Sequence, residues 1–235
     1  MVMDDTRQPG DGQSSSSPRP LRLAVFDLDG TLKVPYSPWS YLHEALGLRR
    51  EAAVYRERFL SGAIDYWEWA RLDAALWRGV ELARVEEIFR RSEYRPGVRA
   101  LFDVLNRHGV RTAIVSTGLD VHVRQVAQDL GVWRTVSNKL LVENGRLTGE
   151  AVVNVIEGGK GAPMVQFRLE AGAQPQECLA VGDGPADVDL FAQAGLAVAV
   201  CPRDERVRQA AHVVIEDGDL GAIIPLLAEH FDLAG

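Results

Sequence analysis

The stretch that decides the fold is Leu23-Ala24-Val25-Phe26-Asp27-Leu28-Asp29-Gly30-Thr31-Leu32, an apolar run that ends in two carboxylates one residue apart. A short apolar run bounded by turn signals is typical of a strand covered on both faces. Asp27 then falls at the carboxyl end of that strand, where open α/β sheets bind their ligands. Two carboxylates placed there repel each other, and a divalent cation would compensate them. The alternative is a turn in which Asp29 and Gly30 cap the next segment.

The composition of the 235-residue chain is that of a soluble globular protein, with 46% hydrophobic and 25% charged residues. A net charge of −7 argues against nucleic acid or an anionic membrane as the main partner. The apolar runs fall short of the roughly 20 residues that a membrane span needs, and we expect no signal peptide. Cys178 and Cys201 lie in strand-like apolar runs, which predicts free thiols and a reducing, cytoplasmic location.

The pattern of residues divides the chain into a leader, a core and an insertion. Residues 1–20 are polar and rich in Ser, Pro and Gly, which predicts a disordered leader. Residues 21–34 and 95–235 alternate apolar runs with helical patterns, which predicts a Rossmann-like α/β core with a mostly parallel sheet. Residues 35–94 carry apolar side chains at helical spacings. We expect this insertion to form a helical cap over Asp27, although a plain helical subdomain is the alternative.

Three further polar clusters follow predicted strands or the helices between them. Ser116-Thr117-Gly118 stands between a strand and a helix, where its hydroxyl and N–H groups could bind an anion or cap the helix. Lys160 lies among glycines before another helix, although most lysines are solvated surface charges. Gly182-Asp183-Gly184-Pro185-Ala186-Asp187 follows a further strand and places two carboxylates four residues apart. Parallel strands bring such clusters to one edge of a sheet, so we expect them to converge.

The converging groups predict a phosphoryl-transfer site. The carboxylates could hold a divalent cation, Lys160 supplies fixed positive charge, and the hydroxyl and N–H groups donate hydrogen bonds to a dianionic phosphate. A carboxylate beside the metal could act as nucleophile and form an aspartyl-phosphate. The second carboxyl could protonate the leaving oxygen and later activate water.

In this order, Asp27-x-Asp29-Gly-Thr31, Ser116, Lys160 and Gly182-Asp183-Gly-x-x-Asp187 resemble the four motifs of the haloacid dehalogenase superfamily. The resemblance covers the chain from about Leu21 to the C-terminus. The helical insertion between the first and second motifs is similar to that of the phosphoserine-phosphatase-like group, whose members carry a helical cap there. The resemblance implies a Mg²⁺-dependent phosphatase that acts on a small phosphorylated metabolite through an aspartyl-phosphate.

The resemblance also implies a role for each matching residue. It makes Asp27 the nucleophile and Asp29 the general acid/base. It assigns phosphate binding to Ser116, Thr117 and Gly118, and it makes Lys160 the residue that stabilises the nucleophile and the phosphate. Mg²⁺ would be bound by Asp27, the main-chain carbonyl of Asp29 and Asp183, and Asp187 would support the metal-bound waters or Lys160. The cap arginine that holds the substrate carboxylate would correspond to Arg71. An aspartate at position 29 favours a phosphatase over a dehalogenase, which needs no proton for an alcohol leaving group.

Three positions depart from phosphoserine phosphatases. Tyr36 stands near the position at which phosphoserine phosphatases carry the glutamate that pairs with the substrate amine. Ala186 replaces the asparagine of the last motif, and Thr117 stands where glycine is common. Lys33, directly after the first motif, adds a positive charge. Hydrolysis of a phosphomonoester is compatible with these departures, but phosphoserine specificity does not follow. A phosphotransferase on the same fold and a non-catalytic binding protein remain alternatives, and the sequence does not indicate an oligomeric state.

Overall fold

The computed structural model describes residues 19–233, which form an α/β core with a helical insertion. The strands are β1 (Arg19–Pro20), β2 (Leu23–Phe26), β3 (Arg111–Leu119), β4 (Arg134–Glu143), β5 (Arg146–Val152), β6 (Cys178–Gly182), β7 (Leu196–Val200), β8 (Val213–Ile215) and β9 (Phe231–Asp232). The α-helices are α1 (Pro38–Ala45), α2 (Arg49–Leu60), α3 (Tyr66–Ala75), α4 (Leu82–Arg90), α5 (Val98–Arg107), α6 (Asp120–Leu130), α7 (Gly161–Ala171), α8 (Val188–Phe191), α9 (Glu205–Ala210) and α10 (Ile223–His230). Within this part of the chain, no helix has the length and apolar character required to cross a bilayer.

The main sheet has seven strands in the order β5-β4-β3-β2-β6-β7-β8, and every pair except β4–β5 is parallel. The predicted mostly parallel α/β core is therefore confirmed. Strand β2 lies in the middle, where Leu23 pairs with Arg111 on one side and with Cys178 on the other. Its four residues are fully buried, as expected for a strand that is covered on both faces.

Successive side chains of β2 point to opposite faces of the sheet, as the two-residue period of a strand requires. Ala24 and Phe26 pack in a cluster with α5, α6 and α10. Leu23 and Val25 pack in a second cluster with α7, α8 and α9. Helices therefore cover both faces, and only the ends of the strands are open to a ligand.

Helices α1 to α4 occupy the segment that the sequence predicts to be a cap. Their apolar faces form a third cluster, which contains Trp39, Trp77 and Phe89. The same cluster includes Leu140 and Leu147 of the β4–β5 hairpin. The insertion therefore packs on the hairpin side of the sheet, beside the end of β3.

The first strand of the fold falls at the end of the segment that the sequence predicts to be a leader. Arg19 and Pro20 form β1, which pairs in parallel with Phe231 and Asp232 of β9. This pairing depends on a partner more than 200 residues away in the chain, so local composition does not reveal it. Residues 1–18, the rest of the predicted disordered leader, lie outside the described part of the chain.

Candidate active site

Three neighbouring strands bring the predicted clusters together at the carboxyl edge of the sheet. Asp27 follows β2, Asp183 follows β6, and Ser116 lies in the last part of β3. The Asp27 N–H donates to the Val181 carbonyl at 2.9 Å, so the pairing of β2 with β6 continues to Asp27 itself. All three polar side chains are buried.

Lys160 is the cation at the centre of this edge, and it is 1% exposed. Its Nζ donates to Asp27 Oδ1 and to Asp187 Oδ1, both at 2.6 Å. Burial opposes a charge on Lys160, but the carboxylates of Asp187 and Asp27 outweigh it and raise the pKa of the ammonium. The Gly161 N–H, at the start of α7, donates to Asp189 Oδ2 and helps to hold this end of the helix in place.

Asp183 is held by the loop that follows Asp27. The Thr31 hydroxyl donates to Asp183 Oδ1 at 2.6 Å. Gly30 has a φ of +90°, and a Cβ at this position would lie 2.3 Å from Asp183 Oδ2. Glycine is therefore required here for its backbone conformation and for the close approach of the carboxylate.

The carboxylates of Asp27, Asp183 and Asp187 fit a divalent cation. One oxygen from each lies within 4.8 Å of the others, and all three residues are buried. Burial raises the pKa of Asp27 to about 7 against the opposing effect of Lys160, and burial followed by repulsion from Asp27 raises the pKa of Asp183. One lysine does not balance three carboxylates, so a hard cation suits the site.

Asp187 has less coordinating capacity left than its two neighbours. Its Oδ1 accepts from Lys160, and its Oδ2 accepts from the N–H groups of Asp183 and Gly184, each at 3.0 Å. Asp27 and Asp183 are therefore the better candidates for direct metal contact, and Asp187 for a supporting role.

Asp29, two residues after Asp27, contacts a histidine instead of the lysine. His122 Nδ1 lies 2.9 Å from Asp29 Oδ1. Asp29 Oδ2 is buried and has no hydrogen-bond partner in the described residues. A Cβ on Gly118 would lie 2.6 Å from this oxygen, 2.7 Å from Pro38 Cγ and 2.9 Å from Ser116 Oγ, so only glycine allows Asp29 and Ser116 to approach the backbone this closely.

The segment after Ser116 connects the core to the cap. The Gly118 N–H donates to Ser116 Oγ at 2.9 Å. The Thr117 carbonyl accepts from three side chains: Trp39 at 3.3 Å, Tyr66 at 3.1 Å and Asn138 at 2.8 Å. Trp39 and Tyr66 belong to α1 and α3. The backbone carbonyl of Thr117, in the predicted phosphate loop, therefore connects the core to two helices of the insertion.

Arg71 and Tyr36, which the sequence analysis considers for contact with the substrate, differ in their distance from the carboxylates. Arg71 is exposed on α3 and donates two hydrogen bonds to Glu68 at 2.9 Å. Tyr36 lies nearer the site, because a Cβ on Gly184 would be 3.6 Å from its hydroxyl. The guanidinium of Arg203 lies 4.5 Å from the centre of the Tyr36 ring, and burial followed by the charge of Asp183 raises the pKa of this tyrosine.

Residues 24–192 match the family model for a haloacid dehalogenase-like hydrolase. Four motifs in the predicted order, gathered at one end of a parallel sheet, agree with that match, and the chain belongs to this family. A phosphoserine phosphatase from Albidiferax ferrireducens is 34% identical over 213 residues, which cover 88% of this chain and 89% of that protein. A phosphoserine phosphatase from Methanocaldococcus jannaschii is 28% identical, over 86% of this chain and 96% of that protein.

A similar solved structure is that of a phospho-aspartyl intermediate analogue of phosphoserine phosphatase. It matches with a TM-score of 0.76 and 26% sequence identity, over 88% of this chain and 99% of that chain. The predicted membership of the haloacid dehalogenase superfamily, with likeness to its phosphoserine-phosphatase-like group, is therefore confirmed.

The sequence did not indicate two buried residues that contact the predicted machinery. His122 is 1% exposed and bonds to Asp29, and Asn138 is fully buried and bonds to the Thr117 carbonyl. His122 stands in an ordinary helical pattern, and Asn138 stands between Ser137 and Lys139 in a polar part of β4. Polar residues in such segments are usually solvated, so only the packing reveals these contacts.

Proposed function

We propose that this hydrolase is a Mg²⁺-dependent phosphatase that acts on a small phosphorylated metabolite through an aspartyl-phosphate. The observation that carries the proposal is the buried Asp27 carboxylate, which Lys160 holds at one oxygen at 2.6 Å. The relatives named phosphoserine phosphatase support a phosphoric monoester as substrate. The related structure of a phospho-aspartyl intermediate analogue supports the covalent intermediate.

In the first step, an oxygen of the Asp27 carboxylate attacks phosphorus, and the bond between phosphorus and the leaving oxygen breaks. Asp29 donates a proton to that oxygen, so the organic product leaves as an alcohol. Lys160 and Ser116 lie at the same edge of the sheet and would stabilise the charge on the phosphoryl oxygens.

In the second step, Asp29 accepts a proton from water while the water oxygen attacks phosphorus. The bond between phosphorus and Asp27 breaks, inorganic phosphate leaves, and both carboxyl groups return to their initial states.

Asp27, Asp183 and the main-chain carbonyl of Asp29 would hold Mg²⁺, and Asp187 would support this arrangement. The excess of buried carboxylate over lysine supports this set of ligands. When bound, Mg²⁺ supplies neutralisation of the phosphate oxygens and of the nucleophilic carboxylate.

Residues 35–94 form the cap in this proposal, and residues 21–34 and 95–235 form the core. Phosphoserine is the first substrate to test, because the relatives carry its name. Tyr36, with Arg203 against its ring, presents a phenol and a guanidinium where the family has a carboxylate for the substrate amine. The preferred substrate could therefore be the phosphate ester of a small alcohol other than serine. We also propose a cytoplasmic location, which the free thiols of Cys178 and Cys201 support.

The test is release of phosphate from a panel of monoesters in Mg²⁺ or in EDTA. The panel contains phosphoserine, phosphothreonine, phosphocholine, phosphoglycolate and several sugar phosphates. Asp27→Asn should lose turnover by about 10³-fold or more. The matched control Asp103→Asn, an exposed carboxylate on α5, should stay within about twofold of the wild type.

Three results would contradict the proposal. Turnover that persists in Asp27→Asn excludes the nucleophile, and turnover that is unaffected by EDTA excludes the metal. Transfer of phosphate mainly to added alcohols in place of water identifies a phosphotransferase.

A further inference from the structure

His122 is held from several sides at the junction of the core and the cap. It lies in the first turn of α6, and its ring is 1% exposed. Nδ1 lies 2.9 Å from Asp29 Oδ1, and Nε2 lies 2.9 Å from Ser92 Oγ. The ring of Phe89, from α4, stacks on the imidazole at 4.6 Å between centroids with an interplanar angle of 14°. A buried imidazole with both nitrogens bonded and one face covered has a single orientation.

Ser92 connects this histidine to the cap and to the loop of the first motif. It lies two residues after the end of α4, and its hydroxyl donates to the Phe89 carbonyl at 2.7 Å. Its carbonyl accepts from Lys33 Nζ at 2.8 Å. Because the only hydrogen of the hydroxyl is used on Phe89, the Ser92 oxygen acts as acceptor and His122 Nε2 as donor.

The contact with His122 leaves Asp29 with one oxygen for chemistry. Oδ1 is engaged by Nδ1, whereas the buried Oδ2 has no hydrogen-bond partner among residues 19–233. Oδ2 and Ser116 Oγ both approach Gly118 closely, at 2.6 Å and 2.9 Å from the position that a Cβ there would take, so the two oxygens lie near each other. A leaving oxygen near the phosphate-binding hydroxyl would therefore meet Oδ2.

We propose that His122 is a positioning residue for the general acid: by fixing Oδ1 of Asp29, it directs Oδ2 at the leaving oxygen, and through Ser92 and Phe89 it makes this orientation depend on the cap. This inference rests on the proposed function, because it takes Asp29 as the general acid. It adds a residue that contacts neither substrate nor metal in that mechanism. Misplacement of a reacting group by about 1 Å is enough to lower a rate by about 10²-fold.

Two amide variants separate the two nitrogens of the imidazole. The amide group of Asn stands about as far from the backbone as Nδ1, so His122→Asn retains a hydrogen-bond partner for Asp29 Oδ1, whichever of the two groups donates. The amide nitrogen of Gln stands about as far as Nε2, so His122→Gln retains a donor for Ser92 and loses the bond to Asp29. A role in packing alone would favour the larger glutamine. The control is His108→Gln, the same change at an exposed histidine.

Each variant is assayed with Mg²⁺ on phosphoserine and on 4-nitrophenyl phosphate. The nitrophenolate ion leaves without a proton, whereas the alkoxide of serine needs one. His122→Gln should therefore lower kcat/KM for phosphoserine by about 10- to 100-fold, and that for 4-nitrophenyl phosphate by no more than about threefold. His122→Asn should stay within about fivefold of the wild type on both esters, and His108→Gln within about twofold.

An equal loss on both esters in His122→Gln, or an equal loss in His122→Asn and His122→Gln, would overturn the proposal. Failure of the proposed function has a different signature, because the wild type itself would then lack turnover that depends on Mg²⁺ and Asp27. In that case, ¹⁵N NMR of the imidazoles still tests the contact. The Nδ1 resonance of His122, assigned by its absence in His122→Gln, should shift in Asp29→Asn. An unchanged resonance would refute the bond to Asp29.

Discussion

Removal of the ionisable group at position 27 should flatten the pH dependence of stability in the metal-free protein. Asp27 is 6% exposed, and burial raises its pKa from 3.8 to about 7 despite the opposing charge of Lys160. The folded state therefore holds this proton more tightly than the unfolded state. The resulting stability is fully present below the unfolded pKa and is lost as the pH rises through the folded one.

The size of this effect follows from the difference between the two pKa values. Each unit corresponds to about 1.4 kcal/mol, so a rise from 3.8 to about 7 is worth on the order of 4 kcal/mol. Between about pH 5 and pH 7, this one carboxyl group should lower the free energy of unfolding by about 1.4 kcal/mol per pH unit. The decline should level off at higher pH, because the carboxyl is then ionised in both states.

The assay is urea unfolding in EDTA at several pH values between about 5 and 8. The quantity of interest is the difference in unfolding free energy between the wild type and Asp27→Asn, which cancels the titrating groups that do not interact with Asp27. Asp103→Asn, at an exposed site on α5, is the control and should follow the wild type. At the high end of the range, Mg²⁺ at 100 times its dissociation constant should add about 2.7 kcal/mol to the wild type.

Parallel curves for the wild type and Asp27→Asn in EDTA would refute this reasoning. They would mean that the buried carboxyl has an ordinary pKa, and hence that Lys160 compensates it fully without a metal. A pKa lowered by the lysine would also leave the curves parallel in this range, because its effect on stability falls below the ordinary value of 3.8.

Three further substitutions test the loops around the carboxylates. Gly30→Ala places a Cβ 2.3 Å from Asp183 Oδ2, so Mg²⁺ affinity measured by calorimetry should fall by about tenfold or more. Asn138→Ala removes the core donor to the Thr117 carbonyl and leaves buried groups unpaired, so the free energy of unfolding in urea should fall by about 2–4 kcal/mol. We expect Mg²⁺ plus a phosphate mimic to change the tryptophan fluorescence of the wild type as the cap closes. Trp39→Phe removes an indole that donates to the same carbonyl, so this change should be largely lost.

Each of these substitutions has a matched control. Gly62 has a φ of +74° with no atom within 4 Å of a built Cβ, so equal loss of Mg²⁺ affinity in Gly62→Ala would contradict the steric argument. The amide of Asn106 makes one hydrogen bond of 3.5 Å, so Asn106→Ala should lower the free energy of unfolding by less than about 1 kcal/mol. Trp133→Phe, in the core, should preserve the fluorescence response, and its loss there would contradict a response that arises in the cap.

The polar residues at the ends of the strands were predictable from the sequence, because the apolar pattern that indicates a strand also shows where the strand ends. The run before Asp27 could only be a buried strand, and a parallel sheet brings the ends of such strands together. The positions of Asp183 and Ser116 beside it follow from the same rule. Lys160 needed the additional assumption that its helix begins at this edge, and Gly161 at the start of α7 satisfies it.

The remaining contacts depend on packing between segments that are distant in the chain. His122 meets Asp29 because α6 begins at the end of β3, and the ring could equally have faced solvent in the same helix. Arg71 was chosen by helical context alone, and its described partner is Glu68 on its own helix. Its role toward a substrate carboxylate stays a prediction. Side-chain direction about a helix axis depends on tertiary contacts, which periodicity in a single segment does not contain.

The order of strands in the sheet also has a consequence for synthesis of the chain. Strand β2 precedes both of its neighbours in the chain, which begin at Arg111 and Cys178. Its apolar residues therefore wait during synthesis, with both backbone edges unpaired until β3 emerges and one edge unpaired until β6 emerges, which is the situation in which chaperones bind. Lys160, which contacts Asp27 across 133 positions of sequence, arrives just as late. No chain that ends before Asp187 can therefore contain the proposed catalytic site, and phosphatase activity would report that β2 has found both of its neighbours.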